Sequence, residues 1–579
     1  MISRTVKDLR PFDGEYVMDI ETVSATGDII AIGVASMFDN DDDVYICDNW
    51  DDLLQHICCG RGQEFKRIRI WAHNGFGFDH LFLMSYMAGF GELDVKNGVF
   101  DHGHIQYIEI AIFGITVVLA DSFAIFQMSL ARTCDGFCNI YKKIEIGVLP
   151  ELLDRVELLN YLRHDVLALR EALQEILTTL QTIFPSFGNV LPATVGSLAM
   201  RIFRMSLKKD LVTSPRVLDQ FEREGYFGGL VGCIQKGLYS GVWGIDVNSM
   251  YPSVMVGQLY PYSYFGYWTY DWESDGVGLW KCRIKYPPGY SGVKWLYDIS
   301  RMLIVDEGVC VIDTETVEYL MANNYHVQVI MGYRYLDLSD DMFQYMDSLY
   351  ALKKEGGTKK TTVKYILNST YGKFGQKHER TKISTLKDAN ELIQLINRGI
   401  SVHEYDFGKQ QIYTWTDREL STNTFCIIAA LVTARARLKL VKAMSSLTSI
   451  GYRVLYYDTD SIHFIPIGGF DLEACEREGV FIHPNDLGSW GIQFENAEAG
   501  YAGRKLYYYT EGEKKGKVVA KGVSGFTQMD MKRLILDGEK EGSYLSCTSP
   551  RKVLFQNVNP GVFSKYTRMV RVLNEKEVK

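Results

Sequence analysis

The run Leu455-Tyr456-Tyr457-Asp458-Thr459-Asp460-Ser461-Ile462-His463 sets two carboxylates two residues apart inside an apolar and aromatic stretch. In extended chain, residues i and i+2 share a face. Asp458 and Asp460 would then point one way and Thr459 the other, with Val454 to Tyr457 and Ile462 to Phe464 as buried flanks. Two buried like charges repel unless a cation lies between them. The same residues also suit a tight hairpin turn, where Asp, Thr and Ser are common. A third carboxylate from another part of the chain would decide between these readings.

Asp246 offers one, in a stretch where Val242 to Ile245 reads as a strand and Tyr251-Pro252 as its exit. Three carboxylates on rigid strands would give hard oxygen ligands to two magnesium ions. Such a pair can lower the pKa of a hydroxyl nucleophile, orient a triphosphate and neutralise the departing pyrophosphate.

Three stretches, in order, resemble the motifs of family B DNA polymerases. Asp246 to Pro252, DVNSMYP, resembles motif A (DxxSLYP), with Met250 in place of leucine; Lys364 to Gly372, KYILNSTYG, resembles motif B; Tyr456 to Ser461, YYDTDS, resembles motif C. The resemblance implies that Asp246 and Asp460 are the principal catalytic metal ligands, with Asp458 assisting. It implies that Tyr251 lies beneath the sugar and leaves no room for a 2'-OH. Thr361 to Ser369 reads as a helix that sets Lys360 and Lys364 on one face at i, i+4. These lysines would grip a triphosphate, with Asn368 and Tyr371 completing the nucleotide site and Tyr371 packing over the base. Lys353 and Lys359 read as solvated lysines.

The chain has 579 residues, too many for one core, and 47% hydrophobic residues, as in ordinary globular proteins. No apolar run is long enough to span a bilayer and the start lacks a signal core, so a cytoplasmic protein is expected. Eleven cysteines without a CxxC pair point to reduced thiols, and Cys134 and Cys138 lack a second ligand pair for zinc. The net charge of -9 is awkward for a DNA-binding chain, so positive charge must be local. Lys353 to Lys387 holds ten Lys or Arg against two Glu, around motif B.

Ahead of these motifs, the strand Tyr16 to Ile20 leads into Asp19 and Glu21 on one face, and Ile29 to Val34 follows. The strand Arg67 to Trp71 feeds AHNGFGFDHLFL, which places Asn74 and Asp79 at a strand-to-helix junction. Asn160 to Leu169 reads as helix with Tyr161 and Asp165 on one face. These resemble the Exo I, II and III elements of the family B proofreading exonuclease. The resemblance implies that Asp19, Glu21, Asp79 and Asp165 hold two metals that activate water, which Tyr161 orients. Asn74, Ser122 and Phe123 would contact single-stranded DNA; relatives carry Ser-Leu where Ser122-Phe123 stands, after the strand Thr116 to Ala120. Lys143 resembles a lysine that contacts the scissile phosphate, and adjacent Lys142 leaves that choice open.

Leu153 to Leu180 reads as a helix closing the first domain near Phe184-Pro185, and Thr194 to Ser197 as a small turn opening the second. Tyr226-Phe227-Gly228-Gly229 matches a YxGG element, whose glycines let backbone approach DNA phosphate. Between motifs A and B, Val309 to Asp313 and Val327 to Ile330 read as strands and Thr314 to Asn324 as helix. This insertion, with a second at Lys377 to Trp415, resembles the TPR1 and TPR2 regions of protein-primed polymerases from small bacteriophages and linear plasmids. After the helix Thr424 to Leu440 and motif C, Lys505 and Tyr507 match the KxY element that steadies a primer terminus, although the tyrosine run also reads as a plain strand. Lys521-Gly522 resembles a further lysine-glycine element.

The expected fold is multidomain α/β: a ribonuclease H-like 3'-5' exonuclease followed by a right-hand polymerase with two insertions. The expected segments are 1–185 exonuclease, 186–260 first part of the palm, 261–345 TPR1-like insertion, 346–376 fingers, 377–423 TPR2-like insertion with adjoining palm, 424–522 palm and 523–579 thumb. The resemblance implies two Mg2+ per active site, with Mn2+ as an alternative. Expected partners are primer-template DNA, single-stranded DNA, dNTPs and a terminal protein, with no membrane, the enzyme being a monomer or a heterodimer with the terminal protein. A DNA-primed family B polymerase and a non-catalytic nucleic-acid scaffold are the alternatives; seven intact carboxylates speak against the scaffold.

Overall fold

Strands buried on both faces require a sheet covered on both sides, and the N-terminal strands have that character. Gly14–Thr22, Arg67–Ala72 and Ile115–Asp121 are buried along nearly their whole length. The computed structural model describes residues 1–3, 12–23, 26–39, 42–59, 65–101, 104–144, 146–354, 359–386, 388–417, 424–511, 514–521, 525–537, 539–547 and 563–571. Tyr45–Cys47, Ile29–Ser36 and Gly14–Thr22 pair antiparallel, and Gly14–Thr22, Arg67–Ala72 and Ile115–Asp121 pair parallel. This is the order and sense of a ribonuclease H-like sheet. The helix Arg155–Ile183, with Asp154 accepting from Glu157 N at 2.9 Å as its cap, packs on the strands Gly14–Thr22 and Ile29–Ser36.

The same sheet runs on through His104–Ile112 and Val95–Asp101 to three strands from far along the chain, Arg380–Ser384, Gln410–Asp417 and Val402–Phe407. Ile383 lies opposite Gly98, and a Cβ at Gly98 would stand 2.4 Å from the Ile383 side chain. The segment expected to be the second insertion is thus joined to the N-terminal sheet by backbone pairing.

A separate antiparallel sheet orders Lys514–Ala520, Leu506–Glu511, Trp490–Gly503, Gly237–Val247, Ser461–Ile465, Arg453–Asp458 and Val231–Cys233. The helix Cys426–Ser449, apolar nearly all round and buried for most of its length, lies against it. The first insertion folds as its own four-stranded antiparallel sheet, Gly266–Thr269, His326–Tyr335, Val277–Lys285 and Glu307–Asp313, with the helix Thr314–Ala322. Helices Tyr345–Lys354 and Lys359–Phe374 form the pair that carries motif B. In the last stretch, the helix Gln528–Asp537 packs Met531 and Leu534 against Ala502 and Tyr508, and Glu539–Cys547 pairs with Phe563–Arg571. Gly522 lies outside the described residues.

One local expectation is corrected. Thr194 to Ser197 is no turn but the start of the helix Val195–Ser206, with the Thr194 hydroxyl accepting from Ser197 N at 3.2 Å; threonine suits an N-cap as well as a turn. Among the described residues no helix is long and apolar enough to cross a membrane.

Candidate active sites

In the strand Gly14–Thr22, pleating aims Asp19 and Glu21 to one side, and the helix Arg155–Ile183 brings Asp165 to meet them. Oxygens of these three carboxylates lie within 4.8 Å of one another, the one such trio among the described residues. Burial, then the Asp165 charge, raises the Asp19 carboxyl to about 7 against the pull of Lys143. Burial, Asp19 and Asp165 raise Glu21 to about 9. Asp165 is also raised by burial, with Lys143 opposing. Its Oδ1 is buried without a hydrogen-bond partner. A trio of mutually repelling hard oxygens with one unpartnered acceptor fits a divalent cation.

Asp79 opens the helix Asp79–Phe90 and accepts from Ile20 N at 3.2 Å. Burial and Asp19 hold its carboxyl well above the ordinary range. Lys143 donates to the Tyr161 hydroxyl at 3.0 Å and ion-pairs with Asp165. Lys142 points elsewhere, to the carbonyls of Cys134 and Cys138 at 2.9 and 2.7 Å, so Lys143 is the lysine at the carboxylates. Asn74 is exposed, with φ 58 at the junction ahead of the helix. Ser122 departs from expectation: its side chain is buried, with Oγ 2.9 Å from His73 Nδ1 and 3.3 Å from the Ala72 carbonyl, while Phe123 is 41% exposed.

Motif C is a hairpin, not a continuous strand. Asp458 pairs with Ser461, and Thr459-Asp460 makes the two-residue turn, with Thr459 at φ 58 and Asp460 N donating to the Asp458 carbonyl at 2.6 Å. The shared-face expectation fails because it assumed extended backbone through Thr459; the turn reading holds, and the turn carries the carboxylates. Ser461 lies opposite Asp246, and Val247 N donates to the Asp460 carbonyl at 2.8 Å, which brings Asp460 beside Asp246. Burial and Asp460 raise Asp246 to about 7, with Lys364, Lys517 and Lys353 opposing. Asp460 is raised by burial, with Lys364 opposing.

Asp458 is engaged differently. Lys505 Nζ lies 2.6 and 2.7 Å from its two oxygens, and the Tyr456 hydroxyl is 3.4 Å away. Asp246, Asp458 and Asp460 do not close to within 4.8 Å as a trio. Lys505, expected at the primer terminus, is thus the ion-pair partner of Asp458. Tyr507, expected on DNA, is only 5% exposed and packs 4.7 Å from the Tyr456 ring, because the strand Leu506–Glu511 turns it into an aromatic cluster with His463 and Tyr501.

Tyr251 and Tyr371 pack ring to ring at 4.2 Å beside the carboxylates. Lys360 and Lys364 are exposed on their helix, and Asn368 is half-buried one turn further on. Lys353, read from sequence as solvated, instead donates to Ser249 Oγ of motif A at 2.5 Å. Burial, Lys364 and Lys360 lower it to about 8, against the pull of Asp246 and Asp460. His73 is the other residue missed, although it immediately precedes Asn74 in the Exo II stretch. It bonds Ser122 and the Met128 carbonyl, and burial lowers it to about 4, so the ring is neutral.

In the YxGG element, Gly228 is open, whereas a Cβ on Gly229 would stand 2.7 Å from Thr459 Oγ1 and Cγ2. Thr459 N donates to the Leu230 carbonyl at 2.7 Å. Gly229 therefore serves packing against motif C; Tyr226 packs similarly, on Gly375 three residues past motif B.

A carboxylate site on a ribonuclease H-like sheet, with a second carboxylate pair facing lysines on an antiparallel palm, defines a DNA-directed DNA polymerase carrying a 3'-5' exonuclease. A family model described as DNA polymerase type B, organellar and viral, matches residues 155–428. The chain is 28% identical over 474 residues to the DNA-directed DNA polymerase of Enterobacteria phage PRD1, covering 79% of this chain and 76% of that one. It is 25% identical over 344 residues to the DNA polymerase of Bacillus phage phi29, with 54% of each chain covered. The structure of phi29 DNA polymerase with primer-template DNA and incoming nucleotide superposes with a TM-score of 0.73 at 18% identity, over 97% of this chain and all of that one. Over residues 155–428 the chain is thus similar to the type B DNA polymerases of organelles and viruses.

Proposed function

We propose that this polymerase starts replication on the hydroxyl of a terminal protein, extends DNA while displacing the non-template strand, and proofreads with its own exonuclease. The observation that carries the synthetic site is Asp246 beside Asp460 with Lys353 and Lys364 facing them. Lys360 and Lys364 would bind the triphosphate of a dNTP, and Lys353, held on Ser249, would fix the motif A turn beneath it. The Tyr251–Tyr371 wall, with Asn368, would seat base and sugar. Lys505 would set Asp458 and the adjoining primer end, while the Gly228 backbone and Tyr226 line the approach of the duplex.

In the exonuclease, Lys143 would hold Tyr161 and Asp165 and meet the scissile phosphate, and Asn74 and Phe123 would contact the single-stranded end. Mg2+, or Mn2+ in its place, held by Asp19, Glu21, Asp79 and Asp165 and by Asp246, Asp460 and Asp458, would supply the charge that activates the attacking water or hydroxyl. We read the segments as expected from sequence, with the exonuclease at 1–185, fingers at 346–376 and thumb at 523–579. A phage-type enzyme would act in the host cytoplasm.

Protein priming and strand displacement are supported by the two insertions and by the similarity to phage polymerases. Extension of a primer on a single-stranded circle, without accessory proteins, tests displacement: products many times the circle's length support it, and products stopping at one circle favour DNA-primed synthesis. Asp460→Asn should abolish extension and leave hydrolysis of single strands intact; normal extension would overturn the site assignment.

A further inference from the structure

We infer that Arg301 of the first insertion is a positioning residue for DNA synthesis: it locks the Arg223 to Gly228 segment as the wall that holds the motif C turn in place. The inference rests on Asp458 and Asp460 being polymerase carboxylates.

The loop that presents Arg301 is firmly built. The Asp298 carboxylate accepts from Ser300 N and Val309 N, both at 2.9 Å, tying the loop to the strand Glu307–Asp313. Arg301 N donates to the Asp298 carbonyl at 2.8 Å, and Arg301 itself sits at φ 73, a left-handed conformation rare for a side-chain-bearing residue. From there its guanidinium donates to the carbonyls of Tyr226 at 2.6 Å and Arg223 at 2.5 Å. Tyr226 is the C-cap of the helix Arg216–Gly225, and Arg223 lies in its last turn, where its carbonyl also accepts from Tyr226 N at 3.3 Å. The same guanidinium lies 4.4 Å from the centre of the Phe227 ring, which also stacks on Tyr297 at 5.2 Å and 15°.

A second guanidinium, that of buried Arg437 in the palm helix, donates to the carbonyls of Phe227 at 2.7 Å and Gly228 at 3.1 Å. Four carbonyls of this short segment are thus held by two arginines from different parts of the fold. Next along the chain, Gly229 lies against Thr459, Leu230 accepts from Thr459 N, and Val231 pairs with Asp458. A shift of the segment therefore passes directly to the turn that bears both carboxylates. Arg301 is exposed where Arg437 is buried, so its removal perturbs the wall with less risk to folding.

The test is single-turnover incorporation by Arg301→Ala and Arg301→Lys, titrated with dNTP and with primer-template. Because small misplacement of reacting groups costs up to about a hundredfold in rate, Arg301→Ala should lose about tenfold in maximal rate while dNTP and primer-template affinities stay within about twofold. Hydrolysis of single-stranded DNA and the thermal midpoint should remain those of the parent. Lysine cannot bridge two carbonyls as the planar guanidinium does, so Arg301→Lys should recover only part of the rate, and methylguanidinium should partly rescue Arg301→Ala. A parental rate for Arg301→Ala overturns the inference. So does a salt-dependent loss of DNA affinity restored by Arg301→Lys, which would make Arg301 a phosphate contact, or equal loss of both activities with a lowered thermal midpoint. Asp460→Asn run alongside separates the two claims: if it still synthesises, the site assignment fails rather than the role of Arg301.

Discussion

Glu222 is a fully buried carboxyl at the meeting point of three parts of the chain. It sits in the helix Arg216–Gly225, accepts from the Tyr335 hydroxyl of the first insertion at 2.8 Å and from the Ser214 hydroxyl, and accepts from Ile427 N at 3.1 Å. Ile427 lies in the first turn of the palm helix, whose own N-cap, Phe425, offers no side-chain acceptor. Burial raises Glu222 from 4.5 to about 8, with Asp219 adding to the rise and Ser214, Tyr335 and Ile427 opposing it. The folded chain therefore keeps a proton that the unfolded chain releases. The stability that goes with it is complete below about pH 4.5 and is lost as pH rises to about 8. At about 1.4 kcal/mol per pH unit, that interval amounts to roughly 5 kcal/mol. In Glu222→Gln the amide oxygen can accept from Ile427 N while its NH2 donates to the Ser214 and Tyr335 oxygens, and the group never ionises. Urea unfolding of both chains across a pH series should show little difference near about pH 5 and the variant more stable by several kcal/mol near about pH 9. A pH-independent difference would refute a protonated Glu222, as would a variant less stable throughout.

Two further outcomes follow from the sites. Lys143→Met removes the cation between Tyr161 and Asp165; exonuclease turnover on single strands should fall by about 10²-fold or more, as for loss of one charge-stabilising donor, with primer extension unchanged. Gly229→Ala forces a methyl to within 2.7 Å of Thr459. It should destabilise by about 1–3 kcal/mol and slow incorporation by about 10²-fold through a displaced carboxylate turn, while the exonuclease keeps its rate.

What the sequence made legible was the identity of the acidic residues, because charge placed in apolar strands is costly and visible. Asp19, Glu21 and Asp165 come together as period-2 and i, i+4 spacing imply. Their surroundings were less legible. Asp458 and Asp460 share a site through a left-handed Thr459, and no alternation pattern signals that. Lys353 looked like any lysine at a helix end; only the fold sets it on Ser249. Ser122 and Tyr507 sit on recognisable motifs, yet burial decided their partners. The pairing of Ile383 with Gly98 joins segments hundreds of residues apart, a register that neither segment encodes alone.

That pairing bears on how the enzyme can be re-engineered. Arg380–Ser384 has Val95–Asp101 on one side and Gln410–Asp417 on the other, and Ser384 Oγ donates to the Val95 carbonyl at 2.8 Å. Deleting the first 185 residues would strip one flank of a strand nearly two hundred residues beyond the cut, leaving unpaired amides and carbonyls and the exposed Ile383 as a template for aggregation. The proofreading part is not a detachable cassette. A version that only synthesises is better made by exchanging single side chains than by shortening the gene.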